Sequence, residues 1–130
     1  MNLLGGGVRE YRLLIVEGDR HSFDELRGGL AELGYECEVA LDIQTARSIL
    51  TERRMDVAIV NARFGETDDE ELIAEMKAQD PSMRLVLYNG TAKGARRRRL
   101  RRMGADSYLS PSSDLPAVVR AARRVIEERL

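Results

Sequence analysis

Short apolar runs alternate along the chain with stretches whose apolar residues recur every three or four positions. Leu13-Leu-Ile-Val16 and Val57-Ala-Ile-Val60 are uninterrupted and predict strands buried on both faces. Glu36-Cys-Glu-Val-Ala-Leu41 alternates and predicts an edge or half-buried strand, Leu85-Val-Leu-Tyr88 a fourth strand, and Ser107-Tyr-Leu109 a short fifth. Between them, Phe23, Leu26, Leu30 and Leu33 share a helical face within His21–Leu33, and Gly34 supplies a stop. Ile43, Ala46, Ile49 and Leu50 do the same within Ile43–Arg54. A third helix is expected to open at Thr67 as N-cap, with Glu70 as its capping-box partner, and to run to about Gln79, before the Asp80-Pro81 break. Ala92–Met103, stopped by Gly104, predicts a fourth helix. Ser113 or Asp114 caps a fifth, with Pro116 in its first turn and Leu115, Val118, Val119, Ala122, Val125 and Ile126 inward.

Five strands alternating with five helices in 130 residues have the size and rhythm of a single α/β domain. The expected fold is a doubly wound, flavodoxin-like parallel sheet of strand order 2-1-3-4-5, preceded by a flexible tail over residues 1–10. Its crevice lies at the carboxyl ends of the first and third strands, which makes Glu17–Asp19, Asn61–Gly65, Asn89–Thr91 and Ser110–Ser112 the segments of interest. The Gly5-Gly-Gly7 and Gly28-Gly29 runs lack the strand-to-helix setting of a phosphate loop.

Composition narrows the chemistry. One cysteine, Cys37, and one histidine, His21, leave neither a disulfide nor a zinc cluster. Cys37 reads as a small buried residue and His21 as a surface residue near a helix start. No apolar run reaches the length of a membrane span, and a cytoplasmic protein is expected. No nucleophile or second base converges with the Glu17 and Asp19 carboxylates, so no enzyme is expected. No cofactor and no resident metal are expected either. The net charge of −1 conceals an asymmetry: residues 1–90 carry 10 basic and 18 acidic groups, residues 91–130 carry 11 basic and 4 acidic. Arg96, Arg97, Arg98, Arg99, Arg101 and Arg102 crowd one helix, and Arg120, Arg123, Arg124 and Arg129 follow on the last.

Several local sequences together resemble the receiver domain of two-component response regulators, from Tyr11 to Leu130. Leu13-Leu-Ile-Val-Glu-Gly-Asp19 resembles the first strand and its acidic cluster, and Leu33-Gly-Tyr35 the end of the first helix. Asp56-Val-Ala-Ile-Val-Asn61 is similar to the strand ending in the phosphoacceptor, Pro81–Gly90 to the fourth strand, and Gly104-Ala-Asp-Ser-Tyr-Leu109 to the run before the family's lysine. The resemblance implies phosphoryl transfer from a histidine kinase to an aspartate that binds Mg²⁺ with an acidic pair. Here Glu17-Gly18 stands for that pair, Asn61 for the acceptor, Asn89 for the hydroxyl residue and Pro111 for the lysine. A degenerate, phosphorylation-independent form is therefore expected, with weak Mg²⁺ binding. Arg63 is expected beside Glu17 and Asp19, its guanidinium in the cation's structural role. Tyr108 resembles the family's aromatic switch, here a fixed interface residue with its hydroxyl in water.

In that family the fourth helix, fifth strand and fifth helix form the face used for dimerisation and effector contacts, and here this face is strongly basic. Three readings remain open at this point. The face docks an acidic protein or a second copy; it binds nucleic acid through the Arg96–Arg102 cluster, without a recognised motif or a stacking aromatic set, Phe23 and Phe64 joining only four tyrosines; or it is simply solvated. Phosphorylation at an atypical residue such as Asp19 is a further alternative.

Overall fold

The computed structural model describes residues 10–63 and 68–128. The tail through residue 9, the Phe64–Thr67 segment and Arg129 lie outside the described residues, so the expectations placed on Gly5–Gly7, Phe64, Thr67 and Arg129 have no structural counterpart here. The elements are β1 (Leu13–Val16), α1 (Arg20–Glu32), β2 (Cys37–Ala40), α2 (Ile43–Glu52), β3 (Val57–Asn61), α3 (Asp69–Gln79), β4 (Arg84–Tyr88), α4 (Gly94–Met103), β5 (Ser107–Tyr108) and α5 (Leu115–Glu127). The strands form one parallel sheet of order β2-β1-β3-β4-β5, the doubly wound order that the alternating pattern predicts.

Alternation along the central strands sends side chains to two cores. Leu13, Ile15, Val57, Ile59 and Val86 pack with Leu26 and Leu30 of α1 and Val118, Ala122, Val125 and Ile126 of α5. Leu14, Val16, Ala58, Val60, Leu85 and Leu87 face Ala46 of α2, Leu72, Ile73 and Met76 of α3, and Leu100 of α4. Ile59 is fully buried, and truncating such a residue to alanine costs about 2–5 kcal/mol.

Four helices begin on an aspartate whose carboxylate accepts a backbone N–H of its own first turn. Asp19 takes Ser22, Asp42 takes Thr45, Asp68 takes Glu71 and Asp114 takes Ala117. Asp68 is thus the N-cap of α3, and its carboxylate also suits the positive end of the helix dipole. α4 starts at Gly94, two residues after the pattern suggests, because Ala92 is buried and gives its N–H to the Tyr108 hydroxyl. No side chain caps α4. Gly34 (φ 91°) and Gly104 (φ 133°) end α1 and α4 in the left-handed region that a side chain disfavours.

Candidate functional site

The carboxyl ends of β1, β3 and β4 converge on a cleft of about 310 Å³ lined by Glu17, Asp19, Asn61, Tyr88, Asn89 and Ser113. Glu17, one residue past β1, is 4% exposed. Its Oε1 accepts from the Tyr88 hydroxyl and from Asn61 Nδ2 at 3.2 Å, and its Oε2 accepts from the Asp19 N–H at 2.9 Å. A buried carboxylate is tolerable when hydrogen bonds replace its water, and three do so here. The Tyr88 hydroxyl is correspondingly pushed far up from the ordinary tyrosine range, by burial first and then by Glu17.

Asn61 is the centre of this arrangement. While its Nδ2 donates to Glu17, its Oδ1 accepts from the Arg63 N–H at 3.0 Å and from Asn89 Nδ2 at 3.4 Å. Only a group carrying both a donor and an acceptor serves all three neighbours, which an amide does and a carboxylate does not. Asn89 has φ 65°, a left-handed backbone that asparagine tolerates better than β-branched residues. Asp19 is exposed, and its carboxylate turns back to Ser22, accepting from the backbone N–H at 2.9 Å and the hydroxyl at 2.8 Å. Those bonds hold it below the usual carboxylate range. Gly18 adds no side chain, and Pro111 is exposed in the turn before α5. Among the described residues no group of three His, Cys, Asp or Glu side chains is placed to hold a metal ion.

Two expectations about this region are corrected. Arg63 is exposed and makes no ion pair with Glu17 or Asp19; what it contributes is its backbone N–H. The guanidinium is not needed, because Tyr88, Asn61 and a backbone N–H already satisfy Glu17. Tyr108 is 3% exposed, and its hydroxyl is not in water. It donates to Asp69 Oδ2 at 2.6 Å and accepts from the Ala92 N–H at 3.0 Å. Burial, reinforced by Asp69, pushes this hydroxyl up to about 12.

The arginines of α4 are all exposed but not equivalent. Arg96 forms a two-pronged ion pair with Glu70 of α3, at 2.9 and 3.3 Å. Arg97 donates to the Tyr108 carbonyl at 2.9 Å, its guanidinium carbon 5.8 Å from the Tyr108 ring centre. Arg101 and Arg102 occupy the last turn, where cations meet the negative end of the helix dipole. These contacts, with Leu100 fully buried, offset the like-charge repulsion along α4. On α5, Arg120, Arg123 and Arg124 are exposed, and Arg123 pairs with Glu127 at 3.4 Å. His21 is exposed in the first turn of α1, and Cys37 is half-buried with its thiol raised to about 11 by burial.

Sequence reasoning missed Tyr88 and Asp69, and it placed Gly90 within the Asn89–Thr91 segment without assigning it a role. Tyr88 reads as one more apolar strand residue, and nothing local announces that its hydroxyl reaches Glu17 across the sheet. Gly90 carried a signal, since a glycine just past a buried strand often marks a close approach.

The sequence matches the family model of the response regulator receiver domain over residues 13–123. It is similar to the photosynthetic apparatus regulatory protein RegA of Rhodobacter capsulatus, 24% identical over 109 residues, covering 84% of this chain and 59% of that protein. The chain therefore spans less than two thirds of that relative's length. Among solved structures it resembles the beryllofluoride-activated NtrC4 receiver domain dimer, with TM-score 0.79, 18% identity and coverage of 92% and 98% of the two chains. It also resembles a CheY-like receiver from Methanospirillum hungatei JF-1, with TM-score 0.79, 20% identity and coverage of 93% and 97%. A third likeness is to the signal receiver domain of an HD domain-containing protein from Pseudomonas fluorescens Pf-5, with TM-score 0.77, 25% identity and coverage of 93% and 98%.

Proposed function

The chain belongs to the response-regulator receiver family, and from that premise we propose that it is a degenerate receiver, a signalling module that works without phosphorylation through protein contacts on its basic face. The observation that carries this reading is the hydrogen bond from Asn61 to Glu17. An amide oxygen is a poor nucleophile and forms no acyl phosphate, and this amide is already engaged on both sides. The donor set also fits Mg²⁺ poorly. A hard cation needs several free oxygens, whereas Glu17 already accepts three hydrogen bonds, Asp19 caps α1 and Gly18 offers none. No step of the activity is assigned to a metal.

With the crevice closed on itself, the α4-β5-α5 face carries the activity. Residues 11–130 act as one non-enzymatic unit, in the cytoplasm, on a protein with an acidic surface. No helix among the described residues is long and apolar enough to cross a membrane.

Two measurements test this. Intact mass after incubation with a small acyl phosphate and Mg²⁺ should be unchanged; a phosphoryl adduct, on Asp19 or elsewhere, overturns phosphorylation independence. Affinity capture from nuclease-treated lysate should yield a protein that is lost when Arg98, Arg99, Arg101 and Arg102 are changed to Glu. Arg96 is spared because it ties α4 to α3. Identical profiles overturn the role of the face, and nucleic acid as the only captured species moves the function to that class.

A further inference from the structure

The arginines of α4 and α5 differ in what surrounds them. Arg96 and Arg123 are matched by Glu70 and Glu127. Arg97, Arg101 and Arg124 line a cleft of about 280 Å³ between α4 and α5, over β5. None of these three pairs with a carboxylate among the described residues. Asp106 shares the cleft, but its carboxylate is held by Lys77 at 3.6 Å, Arg84 at 3.4 Å and the Leu85 N–H at 2.9 Å. Arg97 is also fixed in place, bonded to the Tyr108 carbonyl above a ring that Asp69 and Ala92 hold down.

We propose that this cleft is a carboxylate-binding groove that seats an acidic segment of the partner protein, with carboxylates on Arg97, Arg101 and Arg124. It rests on the reading of the basic face as an interaction surface and names the occupant. The guanidinium fork matches a carboxylate in two hydrogen bonds, and a fixed Arg97 loses little freedom when it binds. Nucleic acid fits less well. Tyr108, the aromatic of this groove, is buried and offers bases no stacking face. The cap aspartates Asp19, Asp42, Asp68 and Asp114 are bonded to their own helices and are not free to serve as that segment in a second copy.

The test uses a short polyglutamate peptide as probe, followed by NMR shifts of the groove amides and arginine Nε groups at low salt. Two double variants remove equal charge: Arg101→Gln with Arg124→Gln inside the groove, and Arg98→Gln with Arg102→Gln outside it. All four residues are exposed, so both proteins should fold. The expected result is shifts at Leu109 and Ser110 that saturate, with Kd weakened about tenfold or more by the groove pair and much less by the outer pair. Equal weakening by the two pairs overturns the groove in favour of diffuse charge attraction. Tighter binding of an oligothymidylate at the same amides overturns it in favour of nucleic acid, and concentration-dependent shifts without peptide in favour of a second copy. If lysate capture survives the groove pair but not charge reversal on α4, the groove falls and the face stands; if it survives both, the reading of the face falls with it.

Discussion

Tyr108 occupies the space that a side chain on Gly90 would need. A Cβ built on Gly90 stands 2.7 Å from Cε1 of Tyr108 and closer still to Cζ and the hydroxyl. The absence of a side chain at residue 90 therefore lets the ring lie inward, where its hydroxyl reaches Asp69 and Ala92. Gly90→Ala should push the ring out, breaking both bonds and lowering stability by about 1–3 kcal/mol. Increased solvent exposure of Tyr108, read by NMR or by tyrosine nitration, together with a lower Tm, checks this. An unchanged ring environment contradicts it.

Tyr108→Phe isolates the hydroxyl from the ring. The phenylalanine keeps the packing but leaves the buried Asp69 carboxylate and the Ala92 N–H without their partner, at a cost of about 1–3 kcal/mol. Asp69→Asn in the same background should recover part of the loss, because a neutral amide is cheaper to leave underbonded than a carboxylate. Urea unfolding of the wild type, the two single variants and the double variant measures this, and additive losses would show that the two side chains are not coupled.

Much of this architecture was legible beforehand, for a physical reason. Buried parallel strands must be apolar on both faces and helices must be amphipathic, so runs such as Val57–Val60 and the Leu26 and Leu30 spacing announce themselves locally. The place of Asn61 at the carboxyl end of β3 was equally legible, because it directly follows such a run. What escaped was contact between distant segments. Tyr88 and Glu17 are 71 positions apart, Tyr108 and Asp69 39 apart, and neither pairing leaves a periodic trace. Arg63 was misplaced because a charge two residues from Asn61 was expected to serve a carboxylate that a tyrosine hydroxyl and an amide already serve.

Asn61→Asp tests the amide directly. The substitution removes the donor to Glu17 and sets a second carboxylate against it, so the variant should be less stable than the wild type by about 1–3 kcal/mol near neutral pH. A proton shared by the two carboxylates restores the bond, which makes the folded variant bind more protons than the unfolded chain. The deficit should therefore shrink on acidification and return as pH rises. Melting curves of both proteins across the acid range check the sign, and a deficit that does not change with pH would mean that the two groups do not face each other.

The cap aspartates and the paired glutamates give the wild type an opposite acid dependence. Asp19 and Asp42 lie below their ordinary 3.8 because of hydrogen bonds from Ser22 and Thr45. Glu70 and Glu75 lie below 4.5 because of Arg96 and Arg47. A carboxylate with a depressed folded value binds fewer protons folded than unfolded. Its contribution is thus present above its ordinary value and lost as pH falls through the folded one. Stability should hold down to about pH 5 and then decline. Asp42→Asn separates charge from hydrogen bonding, since asparagine caps about as well as aspartate but does not titrate in this range. Near neutral pH the variant should differ little from the wild type, while its stability falls less steeply below pH 4, approximately the ordinary aspartate value. Urea unfolding at stepped pH measures both, and parallel acid limbs would show that Asp42 contributes no linked proton.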